Sequence, residues 1–562
     1  MEQAILREAE YPLYDCKQGA EAMTIDICPM QALLVRAALL GILLSGCAKA
    51  SPSSARAESI HSASPASGTR ARATKEVGTR HPVVLQVTPP DGRWLVFCQA
   101  RSDTNKDGAI RVMYERHGDF SGDRLEPYLI LGDGPERPIN EFVASDSAGR
   151  YLVAVIGGRL LLIDTITGRE EDLSQHGASA MDVNYAIGPH RAASLDRSGQ
   201  RLLYLRKTAR GDIPVVRTLA TGQEVELDPG DGLVWRAKLD PEGHWVRLEM
   251  ITEDTDGDGK LTLPSLVTTM AGRRCRGPVG SYSVRGLAGD KPVVRLVPAA
   301  GGKARAADDL VQPWGERLLT RTPEGAFMLE SESGQRQELV PAACKGRILQ
   351  TDIARNRILV QCQGSEHVTL YGQGLHVDFT ADPPHEYENS ARSPLSRFVM
   401  CPDAVIDLER GLAHGTQRNA WLPAQHKGRA LLIQKGRLLL YDADQDTEAD
   451  IDVYDDFTRV IDHSGSMVLL ERWSSLGSLA SDRPAVQAAG AALQTLFGAG
   501  DIEVRIGSSE VFDLAAGKIV GRALPSALAV TDDGAVLVSR SGREDGHTDE
   551  GPLLWMQAVP FP

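Results

Sequence analysis

Three short stretches of this chain space side-chain oxygens as a hard cation needs them. They are Asp103-Thr104-Asn105-Lys106-Asp107-Gly108, Asp254-Thr255-Asp256-Gly257-Asp258-Gly259, and Asp442-Ala443-Asp444-Gln445-Asp446 followed by Asp450 and Asp452. Oxygen donors at alternate positions curl the backbone round an ion such as calcium, and the glycine of the first two makes the sharp turn. The candidate metal ligands are therefore Asp103, Asn105 and Asp107; Asp254, Asp256 and Asp258; and Asp442, Asp444 and Asp446. Position twelve of each loop is Tyr114, Ser265 or Val453, so none has the bidentate glutamate of a helix–loop–helix calcium site. The expected cofactor is a structural calcium ion; the competing reading is a solvated hairpin.

Groups arranged for catalysis are scarce in the chain. The chain has no Gly-x-Ser-x-Gly elbow, no His-Glu-x-x-His, no Cys-x-x-Cys and no phosphate loop. The pair His376 and His385, with Asp378 and Glu386, is a polar constellation, but unrelated strand and surface histidines explain it as well. No catalytic residue is assigned.

Cys47 is a different kind of candidate. Arg36 precedes an apolar run, Ala37–Leu44, and Ser45 and Gly46 lead into the cysteine. This is too short to span a bilayer and has the small residues of a signal-peptidase site. Leu44-Ser45-Gly46-Cys47 resembles the lipobox of bacterial lipoproteins. The resemblance implies cleavage before Cys47, lipid on that cysteine, and a place in the bacterial cell envelope on the periplasmic or outer-membrane side. Residues 1–46 are then a signal region. The first 22 to 29 residues read as a start-site artefact, with Met23 or Met30 as the true start. Residues 47–80 are rich in Ser, Ala and Pro and poor in large apolar side chains, which predicts a disordered tether. Five of the eight cysteines remain in the body (Cys98, Cys275, Cys344, Cys362 and Cys401), so at most two disulfides form there. Cys344 and Cys362 flank predicted strands and are a candidate pair; buried free thiols are the alternative.

The elements that must position these loops form a repeat. A polar turn with Gly leads into an apolar strand at Pro90-Asp91-Gly92, Asp146-Ser147-Ala148-Gly149, Asp196-Arg197-Ser198-Gly199, Asp240-Pro241-Glu242-Gly243, Trp314-Gly315, Asp352–Asn356, Asp462-His463-Ser464-Gly465 and Asp532-Asp533-Gly534. A weaker copy lies at Gly428. Asp caps its own turn and Gly accepts positive φ. A second small turn follows in several units, as at Asp164–Gly168 and Asp513–Gly517. Two hairpins in roughly 40–55 residues is the arithmetic of a four-stranded propeller blade. The interval from Asn356 to Gly465 suits two units.

The body, residues 81–562, resembles the TolB-type and WD-repeat-like β-propellers of exported bacterial proteins, although the Gly-His…Trp-Asp signature is absent. The resemblance implies an all-β fold, a single β-propeller of about seven or eight four-stranded blades. The acidic loops then look like calcium-binding hairpin insertions of such propellers. A helix near residues 482–498 reads as an insertion, with Pro484 in its first turn and Gly498 at its end. The net charge of −14 and pI near 5.5 give no electrostatic reason to bind nucleic acid. The function expected is a membrane-anchored binding or scaffold module with a protein or cell-envelope partner. The alternative is an exported propeller enzyme, a hydrolase or lyase, with its active site at the central channel.

Overall fold

A computed structural model describes residues 75–77, 83–102, 104, 125–178, 193–209, 211–263, 265–266, 287–288, 290–307, 311–372, 374–381, 397–416, 420–434, 437–453, 458–477, 504–523, 527–539, 543–544, 548–549 and 553–557. The chain divides into two compact units. In one (1–65, 455–457 and 472–507), only the ends of two strands are described. The other, residues 66–454, 458–471 and 508–562, carries the sheets.

The fold is a β-propeller. Among the described residues, antiparallel sheets follow one another along the chain as blades 1 (83–138), 2 (141–172), 3 (193–226), 4 (233–307), 5 (312–340), 6 (347–379), 7 (398–415), 8 (420–453), 9 (458–523) and 10 (527–557). We letter the strands of each blade a to d from the inner edge outwards. These ten exceed the seven or eight expected. Each repeated turn named above joins strands a and b of one blade. Blade 7 has three described strands, Phe398–Cys401, Ala404–Asp407 and Leu412–Gly415, which take the places of b, c and d; no a–b turn lies among its described residues, and the interval from Asn356 to Gly465 holds one unit more than the two expected.

Each blade is covered on both faces by its neighbours. Blades 1 and 2 share Trp94, Leu129, Leu152 and Ile163, and blades 5 and 6 share Trp314, Phe327 and Ile358. Equivalent clusters fill the other junctions along the series. The series closes on itself: Ala529, Ala535 and Leu537 of blade 10 pack on Leu95, Phe97 and Tyr128 of blade 1. Closure is also written into the backbone. Lys75–Val77 is strand d of blade 10, pairing with Leu553–Trp555 from the other end of the chain. These three residues lie inside the segment expected to be tether. Their order comes from a distant strand, which local composition does not reveal. The remaining signal and tether residues, and the predicted helix near 482–498, lie outside the described residues.

The a–b turns show why the repeat needs its residues. Asp146, Asp196 and Asp240 accept the amides of Tyr151 (2.7 Å), Arg201 (2.8 Å) and Trp245 (2.6 Å) through Oδ1. Burial raises the Asp146 and Asp240 carboxyls above the usual range against these bonds. Gly149 has φ +68°, and a Cβ there would meet Pro89 of blade 1 at 2.1 Å, so the turn of one blade needs a glycine to lie against the previous one. Cross-blade hydrogen bonds link these turns: Trp94 Nε1 to Gly149 O (2.7 Å), Ser147 N to Arg197 O (3.0 Å), Arg197 N to Pro241 O (2.8 Å), Trp245 Nε1 to Gly315 O (3.0 Å), Ser464 Oγ to Asp532 Oδ1 (2.6 Å) and Asp532 N to Pro90 O (2.8 Å).

The two ends of the strands differ. On the turn face, where a meets b and c meets d, the described connections are short turns. On the opposite, insertion face, b meets c and d meets the next a. The long connections 101–124, 173–192, 252–292, 478–503 and 540–552 all leave from those strand ends. There too, the disulfide Cys344–Cys362 ties the short helical turn Ala342–Cys344 to the chain just after strand b of blade 6, Arg357–Gln361. Cys98 is also disulfide-bonded, Cys401 is a buried cysteine outside any disulfide, and Cys275 lies outside the described residues.

Two substitutions test this account. Trp245→Phe deletes the cross-blade bond and shrinks a fully buried ring; it should cost at least about 1 kcal/mol in urea unfolding. Replacing Cys344 and Cys362 together by Ser should cost about 3 kcal/mol, because the bond closes a loop with a sequence separation of 18. Unchanged midpoints would contradict both assignments.

Candidate metal centre

Blade 4 carries the longest insertion. Its strand b, Trp245–Ile251, and strand c, Val293–Pro298, pair along their length, and residues 252–292 loop out between them. A two-stranded ribbon, Ser265–Leu266 with Leu287–Ala288, continues the arm. At its base the acidic loop folds on itself. Asp254 accepts the amides of Gly257 (2.6 Å) and Gly259 (2.7 Å), Asp256 that of Asp258 (3.2 Å), and Asp258 that of Lys260 (2.8 Å). Gly257 and Gly259 have φ +80° and +82°, the left-handed conformation that glycine adopts without strain.

Asp290, on the returning limb, closes the loop. It is buried, and it accepts the amides of Thr255 (2.5 Å), Asp256 (3.2 Å) and Thr262 (2.7 Å) as well as both threonine hydroxyls. The Thr262 amide, followed by those of Thr255 and Asp256, holds its carboxyl below the usual carboxylate range. Carboxylate oxygens of Asp254, Asp256 and Asp290 lie within 4.8 Å of one another. That spacing suits hard ligands each about 2.4 Å from a shared calcium ion. Backbone amides occupy part of each carboxylate and fix its direction, while the like charges favour a cation between them.

The expected ligands fare differently. Asp254 and Asp256 meet, Asp258 is turned to cap Lys260, and Asp290 takes the third position. Sequence reading missed Asp290; its only signal is its place just before the apolar run Val293–Pro298. Asp103, Asn105 and Asp107 lie outside the described residues. The third loop is not gathered round a point. It is the c–d turn of blade 8, and each carboxylate has its own partner: Asp442 takes Arg429 (3.0 Å), Asp444 takes Arg410 (2.8 Å), and Asp446 takes His414 (3.2 Å) and Tyr441 (3.3 Å). Arg429 with Asp442 repeats an element of the fold, since Arg150 with Asp164 and Arg397 with Asp407 join the start of strand b to the end of strand c in blades 2 and 7. His376 stacks on Tyr371 at 4.9 Å and pairs with Asp378, both exposed; His385 lies outside the described residues.

Three large apolar side chains that follow the acidic loop or Asp290 in the chain are exposed: Leu261 (38%), Leu263 (42%) and Val293 (42%). Among the described residues, no helix is long and apolar enough to cross a membrane.

No family model and no curated protein matches the chain. Solved structures of similar fold include TolB from Acinetobacter baumannii, with 12% identity over 58% of this chain and 59% of that one, TM-score 0.20. Dipeptidyl peptidase 4 of Porphyromonas gingivalis has 9% identity over 81% of this chain and 64% of its own, TM-score 0.36. The β-propeller domain of the trilobed protease of Pyrococcus furiosus has 8% identity over 77% and 98%, TM-score 0.27. The chain thus spans less than two thirds of the length of the first two.

The role of Asp290 gives a pH prediction. Its folded pKa lies below the unfolded one, so its stabilisation is complete above about pH 4 and is lost as pH falls through the folded value. In chelator, Asp290→Asn should melt below wild type at pH 7, and the gap should narrow below about pH 4. A gap independent of pH would contradict the assignment.

Proposed function

We propose that the protein is a binding or scaffold module of the bacterial envelope, tethered by lipid on Cys47 and presenting its insertion face to a protein or cell-envelope partner. The observation that carries this reading is the asymmetry of the ring. One face is built of short turns bonded across blades. The other bears the long connections, with the Asp254–Asp256–Asp290 cluster and the exposed Leu261, Leu263 and Val293 at the base of one of them. A rigid ring holding varied loops is a general solution for recognition. Calcium held by Asp254, Asp256 and Asp290 would fix the base of that arm. The charge of −14 disfavours a nucleic-acid partner.

Calcium should raise the melting midpoint over that in chelator, because an ion bound only by the folded state stabilises it by about 2.7 kcal/mol at a hundred times its Kd. Asp254→Asn should abolish the rise. An unmoved midpoint in the wild type would remove calcium from the reading. Cys47→Ser should release the protein from the membrane fraction, and unchanged membrane association would refute the anchor. A photo-crosslinker at Leu263 should capture envelope partners where one at Ile166, on the turn face, does not; equal capture would refute the face assignment.

A further inference from the structure

We infer that the junction of blades 6, 7 and 8 on the turn face binds an oxyanion, a carboxylate or a phosphate, with Glu409 as its internal stand-in. Two guanidiniums converge there on one atom: Arg355 Nη2 (3.0 Å) and Arg397 Nη1 (3.2 Å) both reach Glu409 Oε2. Each is held in place from behind. Arg397 is only 12% exposed and makes a two-pronged contact with buried Asp407, through Nε (3.0 Å) and Nη2 (2.7 Å). Arg355 is braced by buried Asp352 at 3.0 Å. The bracing carboxylates are interior. Glu409 is 43% exposed on the tip of the Asp407–Gly411 turn, free to swing into water. A preset pair of guanidiniums with one displaceable carboxylate is oxyanion-recognition geometry.

The surroundings favour a ligand from outside. A cleft of about 520 Å³ opens beside the pair, and Gln425 and Lys427 of blade 8 line it. Gln425 Oε1 accepts the Phe398 amide at 3.0 Å, which fixes the side-chain amide and leaves Nε2 without a partner. Such an unmade buried bond is uncommon and calls for an explanation. Lys427 is exposed, has no ion pair among the described residues, and is held at φ +52°, a conformation lysine rarely adopts. Asp444, the remaining acid at the rim, is already taken by Arg410. An oxyanion that displaces Glu409 keeps both guanidinium contacts and adds Lys427. This site lies on the opposite face from the acidic loop and does not depend on the function proposed above.

The test is calorimetric titration of the full chain with inorganic phosphate and, separately, with glutarate as the carboxylate probe. Glu409→Ala frees the guanidiniums and should bind at least one probe about tenfold more tightly than wild type, with Lys427→Ala in that background reversing most of the gain. A response to phosphate alone or to glutarate alone identifies the preferred oxyanion, and either supports the site. Binding of neither probe by Glu409→Ala, equal affinity in wild type and Glu409→Ala, or indifference to Lys427→Ala would overturn it. Should Glu409→Ala fail to fold, Glu409→Gln, which keeps the shape but removes the competing charge, is read by the same criteria.

Discussion

Every blade of this protein is apolar on both faces, and that requirement governs the rest. A single four-stranded sheet of this kind has no stable surface to show to water, so it must be sandwiched between two others. A linear stack would leave two ends bare; a ring leaves none. The demand therefore passes to the last junction. Blade 10 meets blade 1 through a thin contact rich in small residues, Ala529 and Ala535 with Leu537, against Leu95, Phe97 and Tyr128. Backbone pairing reinforces it, because Lys75–Val77 completes blade 10 and ties the two ends of the chain into one sheet. A few residues in a Ser- and Ala-rich stretch thereby become part of the closure.

Closure also sorts the connections. Turns that join neighbouring blades by hydrogen bonds must stay short and in register. The indole of Trp94 reaches Gly149 of the next blade, and that of Trp245 reaches Gly315. An insertion at either turn would separate donor from acceptor. On the other face a cross-blade bond such as Lys207 N to Gly177 O (2.9 Å) is made close to the strand end, before the connection runs on through residues 179–192. Insertions there cost mainly loop entropy, which rises slowly with length. The blade 4 arm can grow because Trp245–Ile251 and Val293–Pro298 stay paired beneath it.

The fold was legible in the sequence to the extent that one turn chemistry repeats. Asp146, Asp196 and Asp240 announce their blades because the same Oδ1 contact to an amide five residues on is made each time. Blade 7 escaped because its signature is elsewhere: its described hairpin is Cys401-Pro402-Asp403-Ala404, and its Asp407–Gly411 turn belongs to strands c and d. Long-range pairings left no local trace, so Lys75–Val77 read as tether and Asp290 was invisible. The acidic loop was half legible. Alternation marked Asp254 and Asp256, but which third carboxylate joins them depends on where the arm returns, and that is set by the register of blade 4.

The same distinction separates the acidic loops that composition makes look alike. Aspartates in a tight turn have their own amides as first partners, and what remains of each carboxylate is decided by the neighbours. In the blade 8 turn those neighbours are cations already fixed by the ring: Arg429 at the start of strand b, and Arg410 and His414 from blade 7. Asp442, Asp444 and Asp446 are drawn apart by three separate attractions. In the blade 4 arm no arginine reaches the loop among the described contacts, and the buried Asp290 adds a further negative charge to Asp254 and Asp256. Converging carboxylates without a cationic side chain raise one another's energy unless a cation is supplied. For these acidic loops the electrostatic debt is settled within the protein at the turn face and left open on the insertion face, which is why only the second arrangement has the makings of a cation site.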